Sequence, residues 1–256
     1  MSGFVADYPA AEVRVSPNFG QRRDGLIPDA IVLHYTGMES GEAAERWLCD
    51  PASQVSSHYL VHEDGRVVQM VREDARAWHA GKGSWNGAAD VNSFSIGIEI
   101  ANGGHGFGYP DFPARQIEAV IELCRDIGGR RGIRPERVLA HSDVAPGRKI
   151  DPGEKFPWRD LAEKDVGLYV EPAPLADGTV LDVGVKGESV EKLQSMLAYY
   201  GYGIEITGVY DAQTEVVVAA FQRHFRPARI DGIADRSTRD TLLQLLALLP
   251  ADNEVS

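Results

Sequence analysis

The chain has 256 residues, of which 43% are hydrophobic and 25% charged, as is typical of a soluble globular protein with one large or two modest domains. Its net charge of -12 and the lack of a large basic patch argue against a nucleic-acid partner. No stretch has the length and hydrophobicity of a membrane span, and the first residues lack the apolar segment of a secretory signal.

The first 165 residues alternate strand and helix patterns. Runs rich in apolar and β-branched residues, two of them joined by an Asp-Gly turn, predict strands over residues 30–34, 57–62, 66–71, 94–100 and 138–141. Apolar residues at helical spacing predict helices over residues 43–48, 114–128 and 158–164, and residues 1–29 are expected to be irregular. Alternation in the fourth strand places Ile96, Ile98 and Ile100 on one face and Glu99 on the other. This order predicts an α/β fold for a domain over residues 1–165.

The remaining residues predict a linker and a second, smaller domain. Residues 166–180 include Glu171-Pro172-Ala173-Pro174, a composition typical of a linker. Residues 181–249 contain three amphipathic helix patterns, which predict a small three-helix domain. Residues 208–214 recur in similar form at 232–238, and each copy predicts a glycine turn and a capping residue before a helix.

Two histidines and one aspartate stand where a metal site is expected. His34 and His141 each end an apolar strand pattern, and Asp151 follows ten residues after His141 in a loop that contains Gly and Pro. Two imidazoles and a carboxylate can bind zinc and leave a fourth coordination position open for water, as hydrolytic zinc sites require. A histidine at a strand end is usually structural, so the spacing by itself leaves that interpretation open.

The other histidines are weaker candidates. His58 and His62 are four residues apart in a predicted strand, which separates their side chains by roughly 13 Å and argues against a shared metal. His105 lies among glycines, where contact with a substrate is feasible. His224 lies in the small domain and is interpreted as a surface residue.

Glu99 and Lys149 are the candidate catalytic residues. If Glu99 faces the metal, it can take a proton from water and pass it to a departing amine. Lys149 stands two residues before Asp151 and can stabilise a tetrahedral oxyanion. The alternatives are a half-buried glutamate paired with an arginine and a solvated loop lysine.

Five segments between about residues 15 and 165 carry a resemblance to a known family. They are Ile31-Val32-Leu33-His34-Tyr35-Thr36, Val55-Ser56-Ser57-His58-Tyr59-Leu60-Val61, Ala77-Trp78-His79-Ala80-Gly81, Ser95-Ile96-Gly97-Ile98-Glu99-Ile100-Ala101-Asn102, and His141-Ser142-Asp143 with Gly147-Arg148-Lys149-Ile150-Asp151-Pro152-Gly153. In this order they resemble the zinc-dependent N-acetylmuramoyl-L-alanine amidases. This type-2 amidase family is also similar to peptidoglycan recognition proteins and phage amidases.

The resemblance implies a fold and a set of roles. It implies a mixed sheet flanked by helices, with Zn2+ in a surface groove. The implied ligands are His34, His141 and Asp151, with Glu99 as the acid and base and Lys149 as the oxyanion partner. Four further residues would line the groove and contact substrate: Tyr35, Trp78, His79 and Asn102.

The small domain, in turn, resembles the three-helix peptidoglycan-binding domain that is often attached to wall hydrolases. The features that carry this resemblance are residues 183–194, Gly201-Tyr202, Gly208-Val209-Tyr210-Asp211, Ala219-Ala220-Phe221-Gln222 and Asp231-Gly232. Together the two resemblances imply that peptidoglycan or a muropeptide is the partner of this chain.

The implied reaction is hydrolysis of the amide between the lactyl group of N-acetylmuramic acid and L-alanine, in peptidoglycan or in (anhydro)muropeptides. A non-catalytic peptidoglycan-binding or sensing protein is one alternative, although the complete ligand set argues against it. A zinc peptidase that cuts within the stem peptide is another. The lack of a signal peptide favours the cytoplasm and muropeptide recycling, whereas the wall-binding domain favours the periplasm.

Overall fold

The computed structural model describes residues 4–250, whose N-terminal part is built on a mixed six-stranded sheet. The strands are β1 (Glu12–Val13), β2 (Phe19–Gln21), β3 (Ala30–Tyr35), β4 (Tyr59–Val61), β5 (Val67–Gln69), β6 (Ala75–Ala77), β7 (Ser95–Ile100) and β8 (Val138–Ala140). The order in the large sheet is β1-β5-β4-β7-β3-β8, and β2 pairs separately with β6. Only β4 and β5, the predicted hairpin, pair antiparallel in the large sheet. The segment 1–29 is thus not wholly irregular, because β1 and β2 pair with distant strands.

Helices cover this sheet and form the C-terminal part. They are α1 (Gly41–Leu48), α2 (Val91–Phe94), α3 (Ala114–Arg131), α4 (His141–Val144), α5 (Trp158–Ala162), α6 (Glu188–Tyr200), α7 (Ala212–Phe225) and α8 (Arg236–Leu246). The Ser40 hydroxyl accepts a hydrogen bond from the Ala43 amide and so caps α1. The strand predicted over 138–141 ends one residue early, since His141 is the first residue of the one-turn helix α4.

The two faces of the large sheet differ in chemistry. Ile96, Ile98 and Ile100 belong to the hydrophobic cluster formed with α3, as the alternation in the sequence predicts. His34 and Glu99 are paired residues of the adjacent parallel strands β3 and β7. Because side chains alternate along a strand, both project from the face opposite the isoleucines. The candidate chemistry therefore lies on the face that α3 does not cover.

The C-terminal part repeats one structural unit. Asp211 caps α7 through the Thr214 amide, and Asp235 caps α8 in the same way. The amide side chain of Gln194 binds the loop before α7, and that of Gln222 binds the loop before α8. The repeated caps are those that the sequence predicts, whereas the glutamine contacts with the two loops are seen only in the structure.

The N-terminal and C-terminal parts share one hydrophobic cluster. Side chains of β3, β8 and α4 lie in the same cluster as side chains of α6, α7 and α8. The segment predicted as a linker is bonded to α8, since the Ser237 hydroxyl donates to the Ala173 carbonyl at 2.6 Å. The domain boundaries at residues 165 and 181 stay predictions. None of the helices within residues 4–250 is long and apolar enough to cross a bilayer.

Candidate active site

His34, His141 and Asp151 come together at the carboxyl ends of β3 and β8. The Nδ1 atoms of His34 and His141 are 2.8 Å apart. Asp151 Oδ2 lies 3.1 Å from His34 Nδ1 and 2.9 Å from His141 Nδ1. All three residues are buried, and their ligand atoms form a group that could hold a metal ion. The sheet brings these atoms together although the residues are up to 117 positions apart in the chain.

The donor set fits zinc. Ligand atoms of a tetrahedral zinc ion lie about 3.3 Å apart, close to the separations found here. Burial and the neighbouring His141 lower the pKa of His34 to about 4, so this imidazole is neutral at pH 7. Burial opposes ionisation of Asp151, but the two histidines outweigh it and hold the pKa of that carboxyl below its ordinary range. A neutral imidazole and an ionised carboxylate are the protonation states that bind a metal.

The outward nitrogens of both histidines have partners in residues 79–80. His34 Nε2 lies 3.0 Å from His79 Nδ1. His141 Nε2 lies 2.9 Å from the Ala80 carbonyl oxygen. Such contacts fix the ring orientation and the tautomer that leaves Nδ1 free to bind a metal. His79 therefore orients the His34 ring, and it also lines the groove described below.

Glu99 is a partly buried carboxyl group beside the three ligands. Its Oε2 atom is buried and has no hydrogen-bond partner among residues 4–250. Burial and the nearby Asp151 raise the pKa of Glu99 well above its ordinary value, and Lys149 acts in the opposite direction. The sequence-based alternative of a Glu99–arginine pair is not found among the described residues. The carboxyl is thus available for proton transfer.

Two cationic residues of the loop before Asp151 border the same groove. Lys149 is half-buried and lines the groove. Arg148, for which no role was predicted, donates from Nη2 to the carbonyl oxygens of Ala80 and Lys82, both at 2.5 Å. The Arg148 guanidinium therefore ties the loop to residues 80–82, and Lys149 presents its charge to the groove.

A groove of about 520 Å³ opens over the three ligands. Tyr35 and Trp78 line it, and their contact with substrate stays a prediction. Trp47 also lines the groove, where it is 48% exposed, and the helix pattern over residues 43–48 gave no signal of this contact. The other lining residues are Thr36, Gly37, Met38, Ala44, Leu48, Val55, Ser56 and Ile150. The groove therefore combines aromatic and aliphatic walls with a polar floor.

Asn102 and His105 lie in the loop after β7. The Asn102 amide donates to Pro110 O and accepts from Gly104 N, and Asn102 is not among the groove-lining residues. His105 lies between the Tyr35 hydroxyl at 3.1 Å and Glu154 at 3.1 Å. His105 therefore positions Tyr35, while Asn102 shapes the loop.

The remaining histidines are apart from the ligands. His58 Nδ1 accepts from the Gly97 amide, and His62 Nε2 is 2.9 Å from Glu45, so the two do not share a site. The interpretation of His224 as a surface residue is wrong. It is 3% exposed and lies 2.7 Å from Asp143, because the C-terminal part packs against the N-terminal part there.

The chain is similar to known families and proteins. Residues 23–154 match the family described as N-acetylmuramoyl-L-alanine amidase, and residues 186–242 match a peptidoglycan binding domain. The chain is 39% identical over 228 residues to the N-acetylmuramoyl-L-alanine amidase AmiD of Escherichia coli K12, covering 82% of this chain and 79% of AmiD. It is 34% identical over 164 residues to the 1,6-anhydro-N-acetylmuramyl-L-alanine amidase AmpD of the same organism, covering 56% of this chain and 85% of AmpD.

Solved structures extend the similarity to the whole fold. E. coli AmiD in complex with the substrate anhydro-N-acetylmuramic acid-L-Ala-D-γ-Glu-L-Lys superposes with a TM-score of 0.73 at 36% identity, covering 89% of this chain and 92% of AmiD. AmpDH3 from Pseudomonas aeruginosa in complex with anhydromuramic pentapeptide gives a TM-score of 0.71 at 30% identity, covering 96% and 99% of the two chains. The mixed sheet flanked by helices and the helical C-terminal part are therefore the fold of these enzymes. This chain belongs to the N-acetylmuramoyl-L-alanine amidase family and carries a peptidoglycan-binding domain.

Proposed function

We propose that this chain is a zinc-dependent amidase that cleaves the bond between the lactyl group of N-acetylmuramic acid and L-alanine in muropeptides. The observation that carries the proposal is that three ligand atoms lie within 3.1 Å of one another in a groove that Glu99 also lines. The buried Glu99 Oε2 has no hydrogen-bond partner among residues 4–250. A zinc ion held by this set supplies a Lewis acid, which polarises a carbonyl group and acidifies water. The groove above it is large enough to hold part of a muropeptide.

In the proposed reaction Glu99 moves the proton. Its carboxylate accepts a proton from the water that attacks the lactyl carbonyl carbon. It then gives that proton to the alanine nitrogen as the carbon–nitrogen bond breaks, so the hydroxyl ends on the lactyl carboxyl and the proton on the amine. The raised pKa of Glu99 favours its protonated form, which gives the proton to the amine nitrogen in the second half of this cycle. Zinc bound nearby would act in the opposite direction and favour the carboxylate that the first half requires.

Lys149 and the groove walls hold the substrate in this scheme. Negative charge develops on the lactyl carbonyl oxygen during attack. The Lys149 ammonium, which lines the groove, stabilises this charge. Tyr35, Trp47 and Trp78 offer aromatic surface to the sugar and the first residues of the peptide. Anhydromuramyl peptides are the proposed substrates, since AmiD and AmpDH3, which share this fold, have been solved in complex with such compounds.

The test is product analysis on a defined substrate. The purified full chain is incubated with anhydro-N-acetylmuramic acid-L-Ala-D-γ-Glu-L-Lys, with and without a chelator, and after zinc is restored. Mass spectrometry should find anhydro-N-acetylmuramic acid and the intact tripeptide, with formation stopped by the chelator and recovered with zinc. Fragments cut within the peptide would instead indicate a peptidase, and binding without products would indicate a recognition protein.

A second arm compares this soluble substrate with intact sacculi. The peptidoglycan-binding domain supports action on polymer, and the similarity to AmpD supports action on soluble anhydro-muropeptides. The ratio of rates on the two substrates, measured with the full chain, decides which form it cleaves. The same ratio indicates whether wall remodelling or muropeptide recycling is its role.

A further inference from the structure

The two domains meet at residues that adjoin the metal ligands. Trp85 of the N-terminal part is 1% exposed and packs edge-on against Tyr200 and Tyr202 of the C-terminal part, with ring centroids 5.4 and 5.1 Å apart. The main-chain amide of Asn86 donates to the main-chain carbonyl of Gly201 at 2.9 Å. A Cβ atom at Gly201 would come within 2.5 Å of the Trp85 ring, so a larger residue could not be accommodated without a shift. The junction is thus a closely packed interface.

At the centre of this interface is the carboxylate of Asp143, which is 0% exposed. It accepts three hydrogen bonds. One comes from the Ala140 amide at 2.8 Å, within its own segment. The other two come from the C-terminal part: the Tyr202 hydroxyl donates to Oδ1 at 2.8 Å, and His224 Nδ1 donates to Oδ2 at 2.7 Å. A buried carboxylate is costly without donors, so the C-terminal part supplies two of the groups that keep Asp143 in place.

The helix α4 connects Asp143 to the metal ligands His141 and Asp151. This helix is one turn long and begins at the ligand His141. The Ser142 amide donates to the main-chain carbonyl of the ligand Asp151 at 3.0 Å. A displacement of α4 would therefore shift both the His141 ring and the loop that presents Asp151. The C-terminal part therefore contacts the short helix that carries His141 and is hydrogen-bonded to Asp151.

The donors themselves are rigidly held. The His224 ring stacks between Trp158 and Phe225, with ring centroids 3.8 Å apart on both sides. The Tyr202 ring is 3% exposed and packs on Trp85. Because both side chains are fixed by packing, their hydrogen bonds restrain Asp143 with little additional loss of side-chain entropy.

We propose that Tyr202 and His224 of the C-terminal domain are positioning residues for the metal centre, holding His141 in its ligand arrangement through Asp143. The inference rests on the proposed zinc site and goes beyond it, since it gives the peptidoglycan-binding domain a part in metal binding. Loss of these donors leaves a buried carboxylate underpaired and loosens α4. Outer contacts of metal ligands are worth about 10- to 100-fold in affinity, and this indirect contact should lie near the lower value.

The test measures zinc affinity by competition with a chromophoric chelator, using the full chain. Tyr202→Phe removes one hydroxyl while the ring packing stays. Its matched control is Tyr210→Phe, since Tyr210 is 0% exposed and donates to the Gly232 carbonyl wholly within the C-terminal domain. Both variants lose one buried hydrogen bond and should lose similar stability in urea. Only Tyr202→Phe should bind zinc more weakly, by about tenfold.

A second pair tests the histidine. His224→Leu removes the donor, and His224→Asn places an amide nitrogen near the former Nδ1 position. Zinc affinity should fall in His224→Leu and recover at least in part in His224→Asn. The proposal is overturned if Tyr202→Phe and Tyr210→Phe have the same zinc affinity, or if His224→Leu binds zinc as the unaltered chain does. If the unaltered chain binds no zinc, or Asp151→Ala binds it equally well, the proposed zinc site itself fails and this inference with it.

Discussion

Glu99 and His34 are Cα partners across the parallel strands β7 and β3, so the candidate proton carrier and the first metal ligand sit side by side in one sheet. Main-chain hydrogen bonds between the strands fix this relationship. Neither side chain depends on a flexible loop for its placement. The register therefore orients the carboxyl toward the groove without help from a salt bridge.

Replacing Glu99 with Gln should abolish most turnover and leave metal binding intact. The amide has the same shape but cannot accept and return a proton, and loss of general acid–base catalysis costs about 10²- to 10⁴-fold. The measurements are kcat on the anhydromuramyl tripeptide and zinc content by elemental analysis. Glu122→Gln, at an exposed site of α3, is the control. Wild-type turnover in Glu99→Gln would remove this residue from the mechanism.

Replacing Asp151 with Ala should strip the chain of zinc. Two imidazoles remain, and since even the outer partners of metal ligands contribute about 10- to 100-fold, loss of a direct ligand should exceed this. Zinc is counted after dialysis against a weak chelator. Asp111→Ala is the matched control because the Asp111 side chain is 91% exposed and forms a surface ion pair with Lys155. Unchanged zinc in Asp151→Ala would exclude it as a ligand.

Replacing Lys149 with Met should lower kcat and have little effect on KM. The charge acts on the oxyanion of the transition state, and removal of one such group costs about 10²- to 10³-fold. Lys149→Arg keeps the charge and should retain more of the rate than Lys149→Met. Lys164→Met, at an exposed residue, serves as the control. A rise in KM with unchanged kcat would instead mean that Lys149 binds the substrate without stabilising the transition state.

Replacing Trp47 with Ala should weaken substrate binding without destabilising the fold. Its side chain is 48% exposed at the groove, so truncation opens no core cavity. Loss of an aromatic contact of about 1 kcal/mol would raise KM roughly fivefold. Tyr199→Ala, which removes an aromatic residue 49% exposed in the C-terminal part, should leave KM for the soluble tripeptide unchanged. A large fall in the urea midpoint of Trp47→Ala would instead show a structural role.

The buried Glu73 should make stability depend on acidic pH. Burial alone would raise its pKa, but hydrogen bonds from Arg130, Tyr59 and Arg131 outweigh burial and hold the pKa at about 2. Because this value is below the ordinary 4.5, the contribution of Glu73 is fully present above about pH 4.5. It is lost as pH falls from there toward 2.

Urea unfolding of the metal-free chain between pH 2 and 7 tests this, since release of metal at low pH then makes no contribution. The titration of His34 and Asp151 is common to the unaltered chain and to Glu73→Gln, so the difference between the two profiles reports Glu73. Glu73→Gln should be less stable at pH 7 but lose less free energy of unfolding toward pH 2. Glu163→Gln, at an exposed residue, should follow the unaltered chain. Parallel profiles for Glu73→Gln and the unaltered chain would contradict the assignment.

The sequence by itself determined the local elements and the chemical groups available to them. The isoleucine alternation in β7, the Asp-Gly hairpin and the repeated caps of the C-terminal part depend on neighbouring residues, so a pattern of a few residues predicts them. The family was predicted from five short segments, because those segments contain the residues that carry the chemistry. The membership was then established by the match over residues 23–154.

Only the tertiary structure decided which residues meet. His79 lies behind His34, and Trp47 borders the groove, because of packing between segments far apart in the chain. His224 is polar and ends a helix, features that suit a surface, yet it is buried against Asp143 because the two domains share a core. Such contacts depend on three-dimensional packing rather than on local pattern. A prediction made from one segment at a time therefore could not give these contacts.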